Sequence, residues 1–118
     1  KDFLKTTPEG NLDLDRSKQI LLKLASECAN AYQYDILIDL RQTTNSLTPF
    51  EIADCVNVMI EHRDSFRSNL AILSLPGNYF DEAKFMEMYA ENRGFSVRAF
   101  RDYEEAMNWL TSSVVLQN

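Results

Sequence analysis

Short apolar segments with the composition of β-strands alternate along this chain with amphipathic segments long enough to form helices. The strongest strand signal is segment 34–40, because its centre, Ile36-Leu37-Ile38, is apolar without interruption. A strand that is apolar at successive positions must be covered on both faces, which is typical of parallel sheets flanked by helices. The alternation therefore predicts an α/β fold with a mostly parallel sheet of four or five strands and four helices.

The remaining elements follow from the same periodicities and from turn residues. A short first strand is predicted at Phe3 and Leu4, and it ends in the turn 7–11. Two further strands are predicted over 69–75 and 95–100. Helices are predicted over 15–32, 49–63, 79–93 and from 103 onward. Segment 95–100 alternates, with Phe95, Val97 and Ala99 on one face and Ser96, Arg98 and Phe100 on the other, which predicts an edge strand.

Capping sequences predict where several helices begin. Thr48-Pro49 followed by Glu51 combines a hydroxyl N-cap, a first-turn proline and a capping-box glutamate. Asp102 and Glu105 form a second capping box. Asp13 or Asp15 can cap the first helix, and the turn 76–78 predicts an Asn78 N-cap.

Length and composition predict one soluble domain over residues 1–118. A formal net charge of −6 repels phosphate backbones, so nucleic acid is not an expected partner. No apolar run approaches the length of about 20 residues that spans a bilayer, so no membrane span is expected. Cys28 and Cys55 lie among apolar helical neighbours, which favours structural thiols and a cytoplasmic location.

Known catalytic patterns do not fit the chain, so we predict neither an enzyme nor a bound cofactor or metal. Asp39 ends the central strand, as a receiver-domain phosphoacceptor does, but the chain does not place the acidic pair and the lysine that a receiver domain also needs. His62, the only histidine, lies near a helix end, where an imidazolium complements the helix dipole. No glycine-rich phosphate loop is present.

Three segments carry a resemblance to a known family: 34–41, 47–53 and 97–110. Their order and spacing resemble the STAS or SpoIIAA-like superfamily, and in particular its small stand-alone bacterial members. The resemblance implies a SpoIIAA-like βα superhelical domain. It also implies a non-enzymatic regulatory or protein-interaction module, similar to anti-sigma-factor antagonists, that binds a protein partner or forms a homodimer.

In those antagonists a hydroxyl at the start of the helix after the central strand accepts phosphate from a partner kinase. The matching positions here are 47–50, where only Thr48 keeps a hydroxyl and Pro49 and Phe50 replace the second hydroxyl and the glycine. The resemblance makes Thr48 the candidate phosphoacceptor and implies that the complete motif has been lost.

Two further surfaces are candidate sites. The loop 41–47 is rich in hydroxyls and precedes a helix N-terminus, so Arg41, Thr43, Thr44 and Ser46 are candidate ligands for an anion or a small polar molecule. A solvated connecting loop is the alternative for this segment.

On the third helix, a spacing of three and four residues predicts a core stripe of Tyr79, Ala83, Met86 and Ala90. Phe85 and Met88 then point outward beside Tyr89. These three residues are a candidate patch for a partner or a second copy of the chain.

A second functional hypothesis is a carrier or sensor of a small ligand; the resemblance implies a lipid or a nucleotide, which members of the superfamily with a related architecture bind. It predicts an apolar pocket between the helices and the sheet, lined by residues such as Phe50, Phe80 and Trp109.

Overall fold

The computed structural model describes residues 3–29, 34–44 and 46–115. In chain order, the elements are β1 (Phe3–Thr6), β2 (Gly10–Asn11), α1 (Leu14–Ala29), β3 (Asp35–Asp39), β4 (Thr43–Thr44), α2 (Pro49–Glu61), a 3₁₀ turn (Arg63–Ser65), β5 (Leu70–Leu73), α3 (Asn78–Glu91), β6 (Val97–Phe100) and α4 (Tyr103–Val115). Within these residues, no helix is long and apolar enough to cross a membrane.

The main sheet has the strand order β1-β3-β5-β6, and every pairing in it is parallel. Each successive strand is added on the same side of the previous one. Because crossovers between parallel strands are right-handed, this order brings α1, α2 and α3 to one face of the sheet. Helix α4 follows the last strand and covers the opposite face. The predicted α/β fold, with four helices and a parallel sheet, is confirmed.

Strand β3 is buried along its whole length, as the uninterrupted apolar run predicts. Ile36 and Ile38 belong to the core shared with α1, α2 and α3, whereas Leu37 belongs to the core beneath α4. Strand β6 lies at the sheet edge with the predicted alternation, since Val97 and Ala99 face the first core and Phe100 faces the second.

The two capping boxes differ in how completely they form. At α2, the Glu51 N–H donates to Thr48 Oγ1 at 3.2 Å and the Thr48 N–H donates to Glu51 Oε1 at 2.9 Å. At α4, the Glu105 N–H donates to Asp102 Oδ2 at 3.1 Å. Both helices therefore begin where the sequence predicts.

Two predictions for the third helix are wrong, one about its N-cap and one about its core stripe. Helix α3 begins at Asn78, and its N-cap is Gly77 with φ of 85°, a left-handed conformation that favours glycine. Asn78 is therefore not the N-cap. Tyr79 is 38% exposed and is not a core residue, although Ala83 and Ala90 are buried as predicted. The predicted end of the first helix, at Tyr32, lies outside the described residues.

The short parallel pair of β2 and β4 was not predicted. It joins Gly10 to Thr43 and Asn11 to Thr44, and the Leu12 N–H donates to the Thr44 carbonyl at 2.8 Å. Strands of two residues carry no periodicity, so no sequence pattern reports them. The pair brings the segment before α1 next to the loop after β3.

Truncation of a β3 side chain tests how much stability depends on its burial. We expect Leu37→Ala to lower the free energy of unfolding by about 2–5 kcal/mol, because Leu37 is fully buried and the substitution leaves a cavity. The matched control is Leu22→Ala, since Leu22 is 44% exposed on α1, and its effect should stay below about 1 kcal/mol. Urea unfolding followed by fluorescence of Trp109 measures both, and equal losses would contradict the assigned core.

Candidate functional site at the carboxyl edge of the sheet

The carboxyl ends of all strands of the main sheet lie at one edge, because every pairing is parallel. Helices α2, α3 and α4 begin at this edge, and the β2–β4 pair lies beside it. Open α/β sheets bind their ligands outside the carboxyl ends of the strands.

Asp39 and Arg41 form a bidentate ion pair at the end of β3. Arg41 donates from Nε to Asp39 Oδ1 at 3.0 Å and from a terminal guanidinium nitrogen to Oδ2 at 2.9 Å, and its backbone N–H also reaches Oδ1 at 3.1 Å. These hydrogen bonds from Arg41 hold the pKa of the Asp39 carboxyl below its ordinary value, despite its burial. The pair fixes the first turn of the loop after β3.

The four residues predicted to bind an anion have separate hydrogen-bond partners. Arg41 is bound to Asp39, the buried Thr43 hydroxyl donates to the Leu40 carbonyl at 2.7 Å, and Thr44 belongs to β4. The Ser46 hydroxyl donates to the Glu82 carboxylate at 2.8 Å. The side chains of Arg41, Thr43 and Ser46 therefore already have internal partners, and the anion site stays a prediction.

Glu82 on α3 was not identified from the sequence. Its Oε1 accepts the Leu47 backbone N–H at 2.7 Å and its Oε2 accepts the Ser46 hydroxyl. We call this set of contacts the Glu82 clasp, since it ties the loop before α2 to the first turns of α3. The partners lie 35 and 36 positions apart in sequence, so no local pattern could have indicated the contact.

An apolar pocket of about 110 Å³ lies at this edge among α1, α2, α3 and the ends of β3 and β5, and it is partly open to the surface. Most of its lining is apolar, including Ile20, Ile38, Ile52, Ile72 and Met86. Hydroxyl or carboxyl groups in the lining belong to Ser17, Thr43, Ser74, Tyr79 and Glu82.

The pocket is not lined by the residues expected from the sequence. Phe50 is 86% exposed on the first turn of α2. Phe80 is half-buried, with the guanidinium of Arg101 over its ring at 4.9 Å from the centroid. Trp109 lies on the other face of the sheet, 5.7 Å from the Phe100 ring. Aliphatic side chains of α1, α2, α3 and the ends of β3 and β5 form most of this pocket instead.

Thr48 is exposed at the start of α2, and its hydroxyl accepts the Glu51 N–H as part of the capping box. The candidate phosphoacceptor is thus an N-cap, two residues before the exposed Phe50. Phosphorylation of Thr48 stays a prediction.

The residues of the predicted α3 patch differ in exposure. Met88 is 53% exposed, whereas Phe85 and Tyr89 are half-buried and stack on each other with ring centroids 6.1 Å apart. The Arg93 guanidinium lies 3.4 Å from the Tyr89 ring centroid. Cationic and aromatic neighbours therefore cover part of this surface, and Met88 is its most accessible member.

Glu87, on the same helix, contacts the edge strand. Its Oε1 accepts the Ala99 backbone N–H at 2.7 Å, while Lys84 donates to its other carboxylate oxygen at 3.0 Å. An added strand would need an edge donor such as Ala99, and here a side chain occupies it. The bond disfavours dimerisation by strand addition at β6.

The described residues provide neither an activated cysteine nucleophile nor a cluster of metal ligands. Cys28 and Cys55 are buried and not disulfide-bonded, and burial raises the pKa of both thiols, that of Cys55 to about 11. Both are therefore protonated at neutral pH. His62 is exposed directly after α2, and no cluster of potential metal ligands occurs in the part of the chain that the structure describes.

No family model matches the chain, and searches of curated proteins and of solved structures found no significant match. The resemblance to the STAS superfamily therefore stays a prediction.

The Asp39–Arg41 pair makes stability depend on pH. Because the folded pKa of Asp39 is lowered, the pair stabilises the protein above the unfolded pKa of about 3.9 and loses its effect as pH falls through the folded value. We expect Arg41→Gln to lower the free energy of unfolding by about 1–3 kcal/mol at neutral pH, with the loss shrinking in acid. Arg67→Gln, which breaks the exposed Arg67–Asp64 pair, is the control. Urea unfolding across pH measures both, and a loss for Arg41→Gln that does not vary with pH would contradict this assignment.

Proposed function

We propose that the protein is a non-enzymatic regulatory module that binds a protein partner through the surface around Phe50. The observation that carries the proposal is the 86% exposure of this phenylalanine on the first turn of α2. The capping box fixes the same turn, because Thr48 and Glu51 satisfy each other's backbone N–H groups. An aromatic side chain is thus presented to solvent on a helix end that is already ordered.

An exposed aromatic residue on a rigid element suits binding. Burying a phenylalanine at an interface contributes a large apolar area, and an ordered backbone leaves little conformational entropy to lose on association. Leu75 and Tyr79, which follow β5 at the same edge of the sheet, are also exposed.

Charge indicates the chemistry of the partner. Asp54 and Asp81, near the starts of α2 and α3, are exposed, and the whole chain carries a formal net charge of −6. A complementary partner would offer an apolar cleft for Phe50 with basic residues at its rim. Phosphorylation of Thr48 would add negative charge beside Phe50 and so change this complementarity.

In the anti-sigma-factor antagonists that the chain resembles, the regulatory phosphoacceptor lies at the start of the corresponding helix. This resemblance supports the start of α2 as the point of contact. We therefore propose that the chain is a STAS-like domain of the bacterial cytoplasm. The buried, unpaired thiols of Cys28 and Cys55 fit a reducing compartment. The patch of Phe85, Met88 and Tyr89 is the alternative surface, for a partner or a homodimer.

Native mass spectrometry of the tagged protein, isolated gently from its own host, tests the proposal. We expect wild type to retain a specific protein and Phe50→Asp to lose it. Met88→Lys, on the alternative patch, and Leu22→Asp, on the exposed side of α1, should both retain it. Because these three side chains are exposed, unfolding free energies should change by no more than about 1 kcal/mol, which separates lost binding from lost structure.

The alternative outcomes are distinct. A complex that survives Phe50→Asp and disappears with Met88→Lys would assign the contact to the α3 patch. A wild-type protein recovered without any protein bound, or a complex insensitive to both substitutions, would contradict the proposed surface.

A further inference from the structure

We infer that the pocket behind the Glu82 clasp binds a small, uncharged, apolar molecule. If this molecule carries a polar group, that group is a hydrogen-bond donor. The inference goes beyond the proposed interaction with a protein and does not depend on it. It rests on the volume of the pocket, on the state of its polar groups and on its charge.

The volume sets the size of the molecule. An apolar cavity of about 150 Å³ holds a benzene molecule and stays free of water. The pocket here, at about 110 Å³, accommodates a ring or an alkyl chain of similar or slightly smaller size. Because the pocket is partly open and the exposed Tyr79 belongs to its lining, a ligand can enter from solvent.

The serine and threonine hydroxyls of the lining have no proton left for a ligand; the remaining hydroxyl, that of Tyr79, belongs to an exposed side chain. Ser17 donates to the Asp13 carbonyl at 2.8 Å, Thr43 to the Leu40 carbonyl at 2.7 Å and Ser74 to the Leu75 carbonyl at 3.2 Å. A hydroxyl has a single proton, so toward an occupant these groups can only accept hydrogen bonds. They favour a ligand with an O–H or N–H group over one that only accepts.

Charge excludes anionic ligands. Glu82 is the charged residue of the lining, and neither lysine nor arginine contributes to it. A carboxylate or phosphate would be desolvated next to a carboxylate without a compensating cation, which is strongly unfavourable. Both oxygens of Glu82 already accept hydrogen bonds from the loop before α2, so a neutral donor fits this environment better.

The isoleucines of the chain provide a direct readout. Ile20, Ile38, Ile52 and Ile72 line the pocket, whereas Ile36 and Ile60 do not, although they lie in β3 and α2. Methyl NMR of protein labelled at isoleucine therefore reports binding inside the pocket and contains its own controls.

We expect titration with hexanol to shift the methyl signals of the pocket isoleucines with a dissociation constant at or below about 1 mM, leaving Ile36 and Ile60 unchanged. Hexanoate has the same chain length but an anionic end, and it should bind at least about tenfold more weakly. Absence of shifts with hexanol, equal shifts at all isoleucines, or equal binding of hexanoate would each overturn the inference.

A filled pocket provides the second test. Ala83 is buried on α3 and lines the pocket, so Ala83→Leu should fill it and weaken hexanol binding about tenfold or more. Ala53→Leu makes the same change at a half-buried position of α2 outside the lining and should bind hexanol as wild type does. If Ala83→Leu does not fold, the methyl titration of wild type decides by itself.

The two proposals fail separately. Phe50→Asp should leave hexanol binding unchanged, because Phe50 does not line the pocket. If the protein binds hexanol but retains no protein partner, this inference stands and the proposed interaction module is contradicted. If it retains a partner through Phe50 but does not bind hexanol, the interaction module stands and this inference is contradicted.

Discussion

Burial of β3 on both faces is the constraint on which the rest of the structure depends. Its apolar side chains alternate between two cores, so helices must cover each face of the sheet. Strands added in one direction with right-handed crossovers send α1, α2 and α3 to the same face, which leaves α4 for the other. The carboxylates at the ends of β3 join it to its surroundings, since Asp35 accepts the Asn69 N–H and Asp39 binds Arg41.

The same constraint forms the carboxyl edge. Parallel strands end together there, and the loops that follow them are held by polar contacts and by the short β2–β4 pair. The Asp39–Arg41 pair and the Glu82 clasp supply two of these contacts. Two apolar features remain at this edge: the pocket among the helices and the sheet, and the exposed side chain of Phe50. Leu47 and Ile52, which flank Phe50 in sequence, line the pocket, so both proposed functions involve the start of α2.

Prediction succeeded where the signal is local. The buried strand, the capping boxes at α2 and α4 and the alternating edge strand each follow from residues within one segment, and each is present. Prediction failed where two distant segments meet. The β2–β4 pair, the Glu82 clasp and the lining of the pocket all depend on contacts between residues far apart in the chain. The N-cap of α3 was misassigned because Asn78 has cap-forming chemistry, whereas Gly77 has the required backbone conformation.

The sequence by itself determined the four helices, the strands of the main parallel sheet and the absence of a familiar catalytic motif, because periodicity, capping and motif spacing are properties of neighbouring residues. Only the tertiary structure decided how far the aromatic residues at the helix starts and on α4 are buried. Phe50, Phe80 and Trp109 have similar side chains, yet one projects into solvent, one lies half-buried beneath Arg101 and one covers the opposite face of the sheet. Hydrophobicity favours burial for all three, but the surfaces available to bury them exist only after distant elements have packed together.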